Sequence, residues 1–320
     1  MDLLNTHSRQ IENGSLILRE VLAGLTHRPK RLPSKLLYDK KGSELFEKIC
    51  MVDEYYPWRT EVRILNEFSA EMSELIGRNA LIIEPGSGAG IKIRTLLKKL
   101  DQPLAYVPIE ISSEILKRMT LELKEQFKDL QVLSVEADFW SDSLEINQFN
   151  NVKKVIFFPG STIGNFDPNE ALKLLKKFKD MVGEAGGILI GFDLKKDVSI
   201  IEKAYNDTEG ITAQFNLNIL KRINHQMNAN FNLYNFTHHA FYNRGSDRVE
   251  MHLVSNIFQQ VRVHESIFIF QKGESIHTEN SHKYDISDFN LLANNARLEV
   301  TKTWTDKDHN FCIAYLTSLK

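Results

Sequence analysis

Three glycines alternate through Glu84-Pro85-Gly86-Ser87-Gly88-Ala89-Gly90, behind the apolar run Leu81-Ile82-Ile83 and ahead of a helical pattern. A buried strand, a glycine turn and a helix in that order let backbone N–H groups come close to a nucleotide-like cofactor. The spacing is G-x-G-x-G. It is neither the G-x-G-x-x-G of dinucleotide enzymes nor a Walker loop, because no G-K-[ST] follows. Glu110 lies 20 residues beyond Gly90, at the end of Tyr106-Val-Pro-Ile-Glu110. At that separation an acid accepts hydrogen bonds from ribose hydroxyls in doubly wound folds, although Glu110 is equally placed to cap the helix that follows. Asp138-Phe139 ends a third apolar segment and offers a carboxylate for an exocyclic amine beside a ring for a purine.

An acid at the strand end just ahead of G-x-G, here Glu84, is how S-adenosylmethionine (SAM) methyltransferases meet the cationic methionine end of their cofactor. Phe157-Phe-Pro-Gly160-Ser-Thr-Ile-Gly164-Asn165 adds a second glycine turn. Asn165 carries both an acceptor and donors and can hold a zwitterion, or it is an ordinary turn asparagine. Tyr38, Tyr55 and Tyr205 taken singly read as packing residues with a surface hydroxyl. The stretch from Gly273 to Tyr284 is dense in polar side chains, as solvated faces are. Its histidines, His277 and His282, lack the paired spacing and carboxylate partner of a metal site, so no metal is expected. No G-x-S-x-G element or Ser–His–Asp arrangement supports nucleophilic hydrolysis.

These groups need a scaffold, and the chain supplies one. Strand patterns at 79–84, 104–110, 131–135, 153–159 and 187–193 alternate with helical ones at 91–100, 112–128, 168–183 and 198–205. That alternation predicts a parallel sheet covered on both faces, with ligands at its C-terminal strand ends. Helices are also expected at 15–27, 42–50, 58–76, 213–227 and 286–296. Period-two segments at 236–243, 247–257, 259–264 and 266–271 mark an antiparallel region of a different kind. A closing hairpin, 298–304 and 309–317, is expected to return to the parallel sheet. The expected fold is therefore α/β: a Rossmann-like class I SAM-dependent methyltransferase sheet with a second, smaller, discontinuous α+β substrate-binding domain. Residues 61–195 and 286–320 would form the first, and 1–60 and 196–285 the second.

The 320 residues carry a net charge of −2, which gives no electrostatic reason to hold nucleic acid or an anionic membrane. Two cysteines, Cys50 and Cys312, cannot build a disulfide framework, which fits a reducing cytoplasm. The first fifteen residues show no basic-then-apolar leader, and no apolar run reaches the roughly 20 residues a membrane span needs.

Taken together, residues 32–49, 54–61, 84–97, 157–168, 204–220, 248–255 and 273–284 resemble the histidine-specific SAM-dependent methyltransferase family. That family methylates the α-amine of histidine in ergothioneine biosynthesis and includes fungal relatives acting on tryptophan derivatives. The resemblance implies cofactor contacts from Glu84, Gly86, Ser87, Lys92, Glu110, Asp138 and Phe139. Glu110 stands where the family usually has Asp, and Pro85 where it often has Leu, which removes one backbone donor. It further implies that Asn165 and Tyr205 hold the substrate carboxylate, that Tyr38 and Tyr55 line the amino-group pocket as catalytic residues, and that Met251 packs near the substrate. Glu279 and Ser281 would hydrogen-bond the imidazole. The implied reaction is Nα-trimethylation of L-histidine to hercynine, by a monomer or weak homo-oligomer. The alternatives are methylation of another small amine, such as a tryptophan derivative or substituted histidine, and a non-catalytic SAM-binding module.

Overall fold

The computed structural model describes residues 16–140, 149 and 151–319. The first fifteen residues, and with them the first residue of the expected 15–27 helix, lie outside that range. Helix α1 spans 16–26, followed by strand β1 (Lys30–Arg31) and helix α2 (Lys40–Ile49). The long helix α3 (Tyr56–Ile76) starts two residues earlier than the sequence pattern indicated. Pro57 sits in its first turn, where a missing N–H costs nothing.

From there strand and helix alternate: β2 (Leu81–Pro85), α4 (Ile91–Leu97), β3 (Ala105–Glu110), α5 (Ser113–Gln126), β4 (Val135–Glu136), β5 (Lys154–Phe158), α6 (Pro168–Val182) and β6 (Gly187–Asp193). The third strand is shorter than expected: only Val135 and Glu136 pair with β3, with a single bridge from Val132 to Tyr106 before them. Helices α7 (Val198–Tyr205) and α8 (Ile211–Gln226) lead into β7 (Phe236–Asn243), β8 (Arg248–Ser255), β9 (Gln259–Val263), β10 (Ser266–Phe270) and β11 (Ser275–His282). The polar stretch 275–282 was not legible as a strand. Helix α9 (Ile286–Asn295) and the hairpin β12 (Leu298–Thr305) and β13 (Phe311–Ser318) complete the chain.

Packing divides the chain into two compact units. One comprises Tyr55–Asp197, Arg244–Arg248 and Ser281–Lys320. Its seven-stranded sheet has the order β12-β13-β6-β5-β2-β3-β4. Strands β2 to β6 are mutually parallel, and β13 runs antiparallel to both neighbours. This is the expected Rossmann-like sheet, parallel at its centre and closed at one edge by an antiparallel hairpin. Alternation along β2 gives each face its own core. Leu81 and Ile83 pack with Leu174 and Phe178 of α6 and with Phe289 and Ala293 of α9. Ile82 packs with residues of α3, α4 and α5, including Leu65, Leu96 and Met119.

The other unit comprises the chain up to Glu54, Val198–Asn243 and Val249–Asn280. It holds a four-stranded sheet, β1-β11-β8-β7, and the hairpin β9-β10. The breaks differ from the expected 60/61 and 285/286. All of α3 packs with the large sheet. Residues 281–284 do so as well, because Tyr284 N–H donates to Asp193 O and Lys283 N–H to Asp247 O. Among the described residues no helix is long and apolar enough to cross a membrane.

Candidate active site

In the sheet unit, the glycine turn leaves β2 with Gly86, Gly88 and Gly90 all left-handed, at φ of 69°, 51° and 66°. Only glycine adopts that backbone in succession without strain. The N–H groups of Gly86 and Ser87 both donate to Ile109 O, tying the turn to β3 directly after Pro85. Glu110 closes β3 and accepts from Gly88 N–H and Ser112 N–H, both at 3.0 Å. It thus braces the turn and the start of α5 with one carboxylate. A Cβ at Gly86 would stand 3.3 Å from Phe139 Cε1, which brings the Asp138-Phe139 segment onto the turn. Asp138 accepts from Trp140 N–H at 2.9 Å, and the Phe139 ring meets Phe158 edge-on.

Glu84 is buried and accepts from the equally buried Tyr106 hydroxyl. Burial pushes its carboxyl up to about 8, with Glu61 and Glu110 adding repulsion and Lys92 and the Tyr106 bond opposing. Lys92 is engaged at 2.5 Å by Glu61, whose carboxylate oxygens also accept from Gly160 N–H, each at 2.9 Å. Glu84 thus has two further carboxyls, Glu61 and Glu110, and one lysine within electrostatic reach. That balance suits a ligand of net positive charge such as SAM. The Ser87 hydroxyl is buried near the Tyr106 phenol and makes no hydrogen bond of good geometry. The charge around the turn and its buried hydroxyl fit SAM.

The second glycine turn carries Asn165, half-buried at the end of a 3-10 turn, Thr162–Asn165. A Cβ on Gly164 would stand 2.8 Å from His282 O and 3.1 Å from His282 N, so the turn lies flush against the end of β11. This packing brings the Asn165 turn to the strand end that bears Ser281. Lys283 donates to Ser281 Oγ at 2.9 Å and pairs with Asp193 at 2.7 Å. Asp193 is fully buried and also accepts from Tyr56 and Lys196, at 2.7 and 2.6 Å. Burial pushes Asp193 up, but Lys283 and Lys196 together outweigh it and hold the carboxyl below its usual range. Burial lowers Lys196 to about 8, helped by Lys283 and opposed by Asp193. Tyr55 is buried at the N-cap of α3, where its carbonyl accepts from Arg59.

In the other unit, Tyr38 donates to Glu279 Oε1 at 3.0 Å. Its ring meets Phe46 of α2 and Phe215 of α8 edge-on. Asp39, next along, caps α2 through Gly42 N–H and accepts from Asn218. Along β11 the buried side chains are Ile276 and Thr278, then Glu279, Ser281 and His282. The alternation slips by one residue at Thr278, which moves Glu279 to the buried side. Thr278 itself lies 2.7 Å from Asn216 Oδ1 and 3.0 Å from the carbonyl of Met251, a residue buried in β8. Tyr205 is buried at the end of α7, its carbonyl 2.8 Å from His238 Nε2. Asp207 then opens α8 by accepting from Ile211 and Thr212 N–H, at 2.7 and 2.8 Å. Tyr38, Tyr205, Met251 and Glu279 thus belong to this unit, and the other expected site residues to the sheet unit.

Glu61, Tyr56, Asp193, Lys196 and Lys283 were not among the expected site residues. A signal existed for two of them. Glu61 lies on the apolar stripe of α3 with Ile64, Leu65, Met72 and Ile76, and Asp193 ends a strand as Glu84 does. The histidines also have partners that linear spacing concealed. His282 Nε2 lies 3.5 Å from Asp167, and His277 stacks on His252, whose Nε2 is 3.1 Å from Glu250. The donor atoms of Glu250, His252 and His277 lie within 4.8 Å of one another. They are engaged in the sheet's own hydrogen bonds, His277 Nε2 with Glu279 O and His252 Nδ1 with Ser275.

Residues 17–318 match the family described as histidine-specific methyltransferase, SAM-dependent. The histidine N-alpha-methyltransferase of Mycolicibacterium smegmatis is 35% identical over 298 residues, covering 92% of each chain. That of Mycobacterium tuberculosis is 34% identical over 304 residues, 93% of this chain and 94% of the relative. Ergothioneine biosynthesis protein 1 of Neurospora crassa is 32% identical over 296 residues, 87% of this chain but 32% of that longer protein.

Proposed function

Since the chain belongs to the histidine-specific, SAM-dependent methyltransferase family, we propose that it transfers three methyl groups to the α-amine of L-histidine, giving hercynine for ergothioneine biosynthesis. SAM supplies an electrophilic methyl on a sulfonium. In each round the amine lone pair forms the N–C bond, the S–C bond breaks, and the thioether product carries away the electron pair. The amine proton leaves to solvent before the next transfer. The attacking amine must be neutral, whereas the ammonium of a free amino acid, stabilised by its own carboxylate, is mostly protonated at pH 7 and has to lose its proton on binding. The protein's work is to aim the lone pair and exclude water.

Glu84, Gly86, Ser87, Lys92, Glu110, Asp138 and Phe139 are assigned to the cofactor. Asn165 and Tyr205 hold the substrate carboxylate. Tyr38 and Tyr55 orient the amine, their rings tolerating the growing cation as N–H donors disappear. Met251 packs beside the substrate. Glu279 and Ser281 read the imidazole from its two nitrogens. The observation that carries the reading is the buried pair Glu279 and Ser281 on one phase of β11, with Tyr38 holding Glu279 Oε1. A tryptophan-type acceptor has one ring N–H and no second ring nitrogen to satisfy such a pair. We place the reaction in the cytoplasm, carried out by a monomer or weak homo-oligomer.

Incubation with SAM and single amino acids, followed by mass spectrometry, tests the proposal. Histidine should gain three methyl groups, and no gain on histidine rejects it. Glu279→Ala should raise the histidine KM by roughly ten- to a hundredfold, the worth of a hydrogen bond to a charged group. An indole acceptor should be comparatively unaffected by that change.

A further inference from the structure

We infer that Glu250, His252 and His277 form a site for a divalent ion of the zinc class, with two imidazoles and one carboxylate as ligands. All three lie in the same compact unit, Glu250 and His252 on β8 and His277 on the neighbouring strand β11. Residues 250 and 252 are two apart on one strand and so share a face of the sheet. The His277 ring stacks on that of His252, with centroids 4.8 Å apart, which sets it on the same face. One ligand atom from each residue lies within 4.8 Å of the other two. Ligands about 2.1 Å from a tetrahedral ion stand roughly 3.4 Å from one another. His252 Nε2 and Glu250 Oε2 are already 3.1 Å apart, and a turn of the His277 ring brings in the third.

The far atoms of the three side chains are held as those of metal ligands are. A ligating histidine donates its other ring N–H to a carbonyl, carboxylate or similar acceptor, which fixes the ring and its tautomer. His277 Nε2 lies 3.1 Å from the carbonyl of Glu279, which only accepts, so the hydrogen is on Nε2 and the lone pair on Nδ1. His252 Nδ1 lies 3.3 Å from Ser275 Oγ, and Glu250 Oε1 accepts from Asn243 at 2.9 Å. These supports belong to the same unit as the ligands. The ion takes the place of the hydrogen between His252 Nε2 and Glu250 Oε2, and that ring proton passes to Nδ1, which donates to Ser275 Oγ. An ion exchanges with the protons and partners that its ligands hold in its absence, so none of the three side chains has to be idle beforehand. The side chains of His252 and Glu250 are 11% and 10% exposed, which leaves a path from solvent. The role is structural. The ion staples β8 to β11 and takes no part in methyl transfer.

Calorimetric titration of the chelator-treated protein with Zn²⁺ at pH 7.5 tests the site. One equivalent should bind in the micromolar range or tighter, and Mg²⁺, which takes oxygen ligands, should not compete. Zn²⁺ at about a hundred times its Kd should raise the melting temperature by about 5 °C. His252→Ala and His277→Ala should each weaken binding by at least the roughly 10- to 100-fold that loss of a mere supporting residue costs. His239→Ala, in the same unit but outside the triad, should leave the Kd unchanged. Absence of Zn²⁺ binding to the unaltered protein overturns the site, and that measurement needs no variant to fold. Binding that survives both His252→Ala and His277→Ala places the ion elsewhere and overturns it as well, as does a loss in His239→Ala equal to theirs. None of these outcomes depends on which amine is methylated.

Discussion

Replacing Glu61 by glutamine should destabilise the sheet unit and loosen SAM together. Glu61 is 1% exposed and serves two partners, Lys92 at 2.5 Å and Gly160 N–H at 2.9 Å. Glutamine preserves the shape and one acceptor oxygen, so the Gly160 bond survives in neutral form. What is lost is the charge opposite Lys92, a side chain only 15% exposed. Breaking a buried pair by removing one partner costs about 3–5 kcal/mol. Some water reaches this lysine, so the lower end, about 3 kcal/mol, is expected. At about 2 °C per kcal/mol for a chain of this size, the melting temperature should fall by roughly 6 °C. Lys92 lies in the first turn of α4, directly after one glycine turn, and Gly160 lies on the other, so their slackening should raise the Kd for S-adenosylhomocysteine about tenfold. Differential scanning calorimetry and equilibrium titration read the two effects. A variant that melts within a degree of the parent and binds S-adenosylhomocysteine equally well would refute the idea that Glu61 clamps the turns.

Glu84, raised to about 8, should give up a proton when the cationic cofactor arrives at pH 7. Calorimetric titration of SAM in buffers of different ionisation enthalpy should then show release of up to one proton per site, which Glu84→Gln abolishes. Because the folded value exceeds the unfolded one, the folded chain binds the extra proton between about pH 4.5 and 8. The contribution of this group to stability therefore falls as pH rises through that window, and the glutamine variant should melt higher than the parent at pH 8. Gly164→Ala places a Cβ 2.8 Å from the backbone oxygen of His282, so the Asn165 turn must shift, raising the histidine KM with little change in S-adenosylhomocysteine affinity. Asp207 is held below its usual range: burial pushes it up, and the bonds from Thr212 and Ile211 outweigh that. Its capping contribution is full above the unfolded carboxyl value near 3.8 and fades as pH falls below it. Asp207→Ala should cost about 1–2 kcal/mol at pH 7 and less at pH 3 in denaturant titrations.

The parallel half of the fold was legible because its strands are continuous apolar runs, as strands buried on both faces must be. Gly187–Asp193 was read to the residue. The closing hairpin was also foreseen, although only the pairing with β6 shows why it belongs in that sheet. Strand β11 was missed because the side chains it buries are mostly polar, satisfied by Tyr38 and Asn216 from distant segments and by Lys283 just past the strand's end. The glycine turn was plain from composition. The Glu61–Lys92 clamp was not, since its partners lie 31 positions apart and their pairing depends on how α3 crosses the sheet. Lys283 is likewise unremarkable in a row of polar residues until Asp193 is seen beneath it.

Strand β13, made last, lies between β6 and β12 and supplies Cys312, Ala314 and Leu316 to one core and Phe311, Ile313 and Tyr315 to the other. Until it emerges, β6 waits with a bare edge, well over a hundred residues after its own synthesis, while the chain departs at Asp197 to build another unit and comes back at Ser281. Loop closure of that span delays completion, and an unpaired apolar edge invites association with other chains. A nascent chain stalled just before residue 311 should therefore be held by chaperones and be readily proteolysed, while the assembled protein resists both.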